Sequence, residues 1–486
     1  MRERQPGLFG NASALLVGRV GIAVMGWAGT VIIVRSLSEE GFGQFTLVFS
    51  ILGMTSIITE LGLGRVAIAG VIDDSDDPGG FAGTYVVLRF MLGVLGYLIA
   101  VAAVVVAGYP AIVVRATALA GVMVVVATPS NAYNLVFQAQ LRMQLVAVAQ
   151  VIGQAAQLAL TVAVALRGGG LLWFIVPAVV AEVVIIAIKL GAVRSLLDIR
   201  YAMRPAVWLA LLKEAVPLSL GGAMVTLYNR VDSVMLSQLD TFASVGVYGV
   251  AAKFADLVRF VASAVTLPIL TLFVRTWPND PLAFRDALQR GCRFLGFFGA
   301  IIVVQFIVFA DDVIEVLYGS KFVVAADATR LLIVAAALNF FTALAFSAMV
   351  SARRHRAYPA TALVGLMVNI ALNLWLIPRS SFDGAAVATL ATNSIVVVVI
   401  WIQLLRLPGL GRFRLGFLAR FVPPAIGAAL AGWSADAVLP WPAAALLAGL
   451  VYVLLIEVVR AVGPEGMRGH VRNWQRERDS VSEPQN

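Results

Sequence analysis

Charge is what this chain has least of. Only 13% of its 486 residues are Asp, Glu, Lys or Arg, 60% are hydrophobic, and the mean hydropathy is +0.92. A soluble protein of this length needs far more charge to cover its surface, so a polytopic membrane protein is expected. The single cysteine, Cys292, excludes an internal disulfide. The two histidines, His355 and His470, fall in a loop and a tail without ligand-spaced partners, which argues against a metal site. No Walker A sequence is present, so no ATP-driven engine and no bound cofactor are expected. No gap between the apolar runs is long enough for a folded soluble domain. The net charge of +9 would suggest nucleic acid in a soluble protein. Here it is assigned to loops on the cytoplasmic side of a membrane, with no nucleic-acid partner.

Apolar runs of spanning length fill the chain. With about 20 residues per span, fourteen are counted, near 12–34, 43–70, 83–107, 111–137, 144–166, 170–192, 215–236, 244–274, 290–310, 326–350, 358–378, 383–405, 418–437 and 440–460. The fold expected is all-α, with helices 1–6 in residues 1–200, helices 7–12 in 201–410 and an appended pair in 411–462. Residues 463–486 form a polar tail expected to be disordered. Met1 to Gly10 is short and basic, and a retained first span is expected rather than a cleaved signal peptide. With both termini in the cytoplasm, inner loops and tails hold twenty-four Lys and Arg against six outside, as the positive-inside rule requires. The inner set includes Lys189, Arg194, Arg200, Arg204 and Lys213, and further on Arg290, Arg293 and Arg420. Asp73, Asp74, Asp76 and Asp77 make one inner loop acidic, but acidic residues weigh little in that rule.

A weak repeat relates the halves. Phe42-Gly43-Gln44-Phe45 opens the second helix and Val245-Gly246-Val247-Tyr248 the eighth, an offset of 203. Arg142, Gln157 and Thr161 align with Arg354, Asn369 and Asn373 at an offset of 212. Six helices per repeat give both halves one orientation, related by an axis along the membrane normal. Residues 194–213 mix Leu, Ile and Trp208 with Arg and Lys, and read equally well as an amphipathic linker on the inner surface or a solvated loop. Pro129, Pro217 and Pro268 mark expected bends.

Charges inside spans cost about 2.5–3.5 kcal/mol each at the membrane centre on insertion scales, so they face cavities or partners. The stretch 217–268 carries Arg230, Asp232, Lys253, Asp256 and Arg259, the last three on one helix face. An ion pair, Lys253–Asp256 or Arg230–Asp256, would hold the bundle together, but three cations face two anions there. Arg19, Glu60, Arg65 and Arg89 add to the set in the first half. Arg65 is shallow enough to snorkel, and Glu60 could pair with Arg19 or Arg89. Glu182 is either paired or a proton site. Cations with a few carboxylates among them suit an anionic headgroup such as a diphosphate, because guanidinium grips phosphate oxygens in bidentate fashion. Asn131, Asn134, Gln150, Gln154, Gln157, Asn369, Asn373 and Asn393 could touch sugar hydroxyls, although interhelical hydrogen bonding is their commoner role. Glu39 and Glu40 sit where some membrane glycosyltransferases place a catalytic acid, but Ser38-Glu39-Glu40 reads better as a helix N-terminus.

The run Tyr228-Asn229-Arg230-Val231-Asp232, with Met235-Leu236, Val245-Gly246-Val247-Tyr248 and Ala251-Ala252-Lys253, resembles the seventh and eighth helices of Wzx-type bacterial polysaccharide flippases. These belong to the superfamily of multidrug/oligosaccharidyl-lipid/polysaccharide exporters. Gly18-Arg19, Glu40-Gly41-Phe42-Gly43, Leu61-Gly62-Leu63-Gly64, Val316 to Phe322, Leu376-Ile377-Pro378 and Asp383 to Ala386 extend the likeness over about 8–405. The resemblance implies two six-helix lobes with a cavity lined mainly by helices 1, 2, 7 and 8. It also implies alternating access and transfer of an undecaprenyl-diphosphate-linked oligosaccharide to the periplasmic leaflet of the bacterial inner membrane. Arg19, Arg89, Arg230, Lys253 and Arg259 would be cavity cations for the substrate. Glu60, Glu182, Asp232 and Asp256 would be their partners or sites for a coupling ion, with protons, sodium or membrane potential as the drive. A polysaccharide polymerase and glycosyltransferases would be partners. The alternatives are a cation-coupled drug exporter of the related multidrug branch, a membrane oligosaccharide polymerase or ligase, and a scaffold without transport. The cation set fits the first poorly, and the second should carry a large outer loop, which is absent.

Overall fold

The computed structural model describes residues 8–64, 66–68, 77–354, 358–407, 410, 413, 415–459 and 461. Side chains of 8–17, 218, 260–268, 271 and 415 are left aside. Arg65, three acidic residues of the 73–77 loop, His355, His470, Arg412, Arg414 and the tail from 462 lie outside the described residues.

Helix accounts for nearly all of the described chain, and no strand occurs in it. Hydrocarbon offers backbone groups no hydrogen-bond partner, so an apolar run must satisfy its own amides, which a helix does. The helices are α1 Leu8–Ser36, α2 Glu39–Glu60, α3 Pro78–Val106, α4 Ala111–Ala132, α5 Met143–Leu166, α6 Leu171–Val193 and α7 Pro205–Leu239. They continue as α8 Phe242–Thr276, α9 Pro281–Tyr318, α10 Ala326–Ser351, α11 Tyr358–Leu405, α12 Val422–Asp436 and α13 Trp441–Val459. The fourteen runs read from the sequence fall almost wholly on helix, with a turn at residues 61 and 62 and with residues 65, 69, 70 and 460 outside the described set. Ser380 and Ser381 leave helical geometry within α11, separating its two runs. Ten helices among the described residues are long and apolar enough to cross a bilayer, or eleven with a bent pair, so fourteen crossings are not established. α11 enters that count once, and α12 is only 15 residues long.

Polar residues set the helix ends. The Ser38 hydroxyl accepts from the Gly41 amide at 3.1 Å and caps α2, with Glu39 and Glu40 in its first turn. Asp77 and Asp280 cap α3 and α9 in the same way. α7 is bent by 64° between Pro205–Pro217 and Ser219–Leu239, at the expected proline.

The chain forms two compact units, Met1–Gly249 and Val250–Asn486. In unit 1, α1 packs along α5, α3 along α4, α6 against α4 and α5, and α7 against α2. In unit 2, α10 packs between α9 and α11, while α12 and α13 pair and rest on α9.

The segment 194–204 is not a free loop. A Cβ on Gly79 would fall 2.1 Å from the Asp198 carbonyl oxygen, and one on Gly83 equally close to that of Arg200. The backbone therefore lies directly on the first turns of α3. The Arg200 amide donates to the Gly79 carbonyl, and the Trp208 indole donates to that of Thr84 at 3.0 Å. Leu196, Leu197, Ile199 and Trp208 pack on a core containing Phe81 and Tyr85. Asp77 accepts from Arg200 at 2.5 Å and Arg204 at 2.8 Å. The Arg204 hydrogen bond, then that of the Gly80 amide, holds its carboxyl below the usual carboxylate range.

Candidate functional site

In unit 1, charges within the spans lie on α1, α2, α3, α6 and α7. Arg230, half-buried on α7, lies across α2 at Gly53: a Cβ there would sit 3.3 Å from Nε and 3.6 Å from Cδ. The missing side chain gives the guanidinium stem its berth. Arg230 stands ten residues before Asp240, about 15 Å along the helix from the α7–α8 turn. Asp232, two residues on, is only 4% exposed and accepts from the Tyr248 hydroxyl at 2.7 Å. Tyr248 lies in the first turns of α8, so this bond ties the two sides of the α7–α8 turn together. Arg19 on α1 is exposed. One face of α1 rests on α5, with Gly26 against Gln154 and Gly29 against Leu158.

Arg89 is placed differently. It is 5% exposed, and its guanidinium donates to the backbone carbonyls of Thr59, Glu60 (3.4 Å) and Thr128 (3.4 Å). The last carbonyls of a helix lack intrahelical donors and carry the negative end of its dipole. α2 ends at Glu60, where Leu61 turns to φ +40°, so Arg89 answers a helix terminus. It meets the backbone of Glu60 rather than the exposed carboxylate, which makes no ion pair among the described residues.

Lys189 departs from its expected place in an inner loop. It lies inside α6 at 1% exposure, and its ammonium donates to both the carbonyl and the hydroxyl of Ser130, each at 3.2 Å. The helix ends at Val193, one residue past the apolar run 170–192, so Lys189 sits a turn inside its end, and α4 breaks beside it after Ala132, leaving Ser130 able to accept. Half-buried Glu182 sits two turns earlier on α6. A lone lysine at the end of an apolar run carries no sequence signal that separates it from a loop lysine.

In unit 2, Asp256 pairs with Arg259 at 2.5 Å, one turn along α8. Lys253 is half-buried on the same helix. Asn369 and Asn373 are fully buried, and the Asn373 amide donates to Asn369 Oδ1 at 3.0 Å. The Asn339 amide donates to Asn393 at 3.3 Å across helices. Among the described residues, no group of three or more His, Cys, Asp or Glu is arranged to hold a metal ion.

A family model, described as polysaccharide biosynthesis protein, matches residues 8–274, more than half of the chain. The chain belongs to this family. Its fold is that of known flippases and exporters. The chain is similar to the lipid II flippase MurJ in an inward closed conformation. Identity is 13% over 92% of this chain and 98% of that one, with a TM-score of 0.77. It is similar to an inward-facing multidrug resistance MATE family transporter of the MOP superfamily at 13% identity, covering 79% and 94%, with a TM-score of 0.67. A Vibrio cholerae MATE transporter aligns at 16% identity over 83% and 96%, with a TM-score of 0.53. No curated protein sequence matches the chain significantly. At such identities the structural likeness defines the fold: an all-helical, multi-pass membrane protein of transporter architecture.

Proposed function

We propose that this protein is a flippase that carries an undecaprenyl-diphosphate-linked oligosaccharide from the cytoplasmic to the periplasmic leaflet by alternating access, for cell-surface polysaccharide. The observation that carries this reading is the conjunction of a polysaccharide biosynthesis family with a fold shared with a lipid II flippase. Neither alone selects the substrate. A lipid-linked sugar has to satisfy both, because it is glycan and membrane lipid at once.

The substrate's chemistry asks for cations within the membrane. Arg19 and Arg230 meet that need in unit 1: one is exposed, and the other is half-buried with its stem supported by Gly53. We assign both to the diphosphate, which guanidinium binds as a fork. Lys253, in unit 2, keeps the role of a sugar or phosphate contact. Asp232 and Asp256 are assigned as partners of these cations or as the point where a proton, sodium ion or the membrane potential acts. Placement in a bacterial inner membrane with both termini cytoplasmic, and work alongside a polymerase and glycosyltransferases, follow from the same reading. Cation-coupled drug export is the second reading, favoured by the MATE fold. The cationic residues within the spans speak against it.

The test is to replace Arg19, Arg230 and Lys253 together by glutamine. Surface polysaccharide should be lost while the purified variant keeps its monodispersity and thermal stability. Normal polymer output from a normally expressed variant would remove the site assignment.

A further inference from the structure

Unit 2 holds a pair of arginines that form no ion pair among the described residues. Arg293 lies on α9 where its inner, polar turns give way to the apolar run Phe294 to Ala310. Its guanidinium carbon stands 5.5 Å from the ring centroid of Phe417, on the 3-10 segment Leu415–Phe421 that leads into α12. That segment is fixed in place: Phe421 and Leu418 close on Gly296, where a Cβ would meet the Phe421 ring at 3.2 Å. It delivers Arg420, exposed, within electrostatic reach of Arg293, so two like charges act on each other. Asp286, exposed two turns earlier on α9, is the acidic group that acts on Arg293, and the two form no ion pair. The Arg293 Nε–H is buried and has no hydrogen-bond partner among the described residues. A positioned guanidinium with an unanswered donor beside a second cation calls for an anion, and phosphate oxygens fit that fork.

What surrounds the pair indicates where the anion comes from. Phe294, the next residue, and Phe298, about a turn further on, lie with tilted rings 4.7 Å apart between centroids and stay exposed at 46% and 36% on the surface of the apolar run. Cations at the edge of an apolar run with open rings beneath them match a phospholipid, phosphate above and acyl chain below. We propose that Arg293 and Arg420 bind the phosphate of an anionic phospholipid in the leaflet that meets the polar first turns of α9, with Phe294 and Phe298 along its acyl chain. This surface is distinct from the transport residues and does not depend on which substrate is carried.

The experiment is native mass spectrometry of the delipidated full-length protein, titrated with phosphatidylglycerol or phosphatidylcholine. The wild type should retain phosphatidylglycerol at concentrations about tenfold lower than phosphatidylcholine. Arg293→Gln and Arg420→Gln should each lose that preference, while Arg293→Lys keeps part of it and Arg167→Gln all of it. Arg420 is exposed, so its variant tests the site without disturbing the packing. Inorganic phosphate at millimolar concentration should not displace the lipid. Equal retention of the two lipids by the wild type, an unchanged preference in Arg420→Gln, or displacement by inorganic phosphate would each overturn the proposal.

Discussion

Gly43 and Gly246 cross with their backbones in contact. A Cβ on Gly43 would fall 1.7 Å from the Phe242 carbonyl oxygen, and one on Gly246 2.2 Å from that of Glu39. The start of α2 and the first turns of α8 therefore meet with nothing between them. Gly249 continues the seam, since its Cβ would lie 2.7 Å from the Thr46 hydroxyl oxygen. Any side chain must push the helices apart. Gly43→Ala should cost on the order of 1–3 kcal/mol as overpacking, read as a lower unfolding temperature in detergent. Gly222→Ala, where a Cβ meets open space, should leave it unchanged. Equal temperatures for Gly43→Ala and wild type would mean that the crossing opens freely.

Arg89 should behave as a structural residue. Arg89→Met leaves the Thr59, Glu60 and Thr128 carbonyls without their donor, at about 1–3 kcal/mol for a buried unsatisfied group. Arg89→Lys should recover only part, because an ammonium cannot reproduce the fork that joins α2 to α4. Thermal unfolding of both variants checks this. Wild-type stability in Arg89→Met together with lost export would instead place Arg89 on the substrate.

The Asp77 clasp gives a pH dependence of known sign. Its carboxyl is held below the usual range, chiefly by Arg204, so it binds fewer protons folded than unfolded. Its contribution is then complete above about pH 4, the ordinary aspartate value, and fades as pH falls through the lowered one. The group is solvent-exposed, so the effect is small and screened by salt. The difference in unfolding temperature between wild type and Asp77→Asn should be constant from pH 5 to 8 and shrink below pH 4. A difference that grows on acidification would contradict the clasp.

The parts of the fold legible in the sequence were those written as patterns. Apolar runs located the helices and Ser38-Glu39-Glu40 announced an N-cap, while the 203-residue offset matched Phe42-Gly43 to Val245-Gly246 without showing that the two glycines touch. Contacts made through backbone were hidden. Nothing in Arg89 says that it will meet helix-end carbonyls, or in Lys189 that it will find Ser130. Residues 194–204 looked as much like a solvated loop as a linker, because the glycines that receive them are more than 100 positions away. Arg293 and Arg420 read as ordinary inner-loop cations until packing set one beside the other. Asp256 and Arg259, three apart on α8, meet as that spacing allows.

The central claim is tested most directly in cells lacking the protein, by lipid mass spectrometry combined with a probe of which leaflet the oligosaccharide faces. The flippase account predicts that an undecaprenyl-diphosphate-linked oligosaccharide accumulates facing the cytoplasm and clears when the wild-type gene is restored. A normal lipid profile accompanied by new drug sensitivity, or accumulation on the periplasmic face, would contradict it.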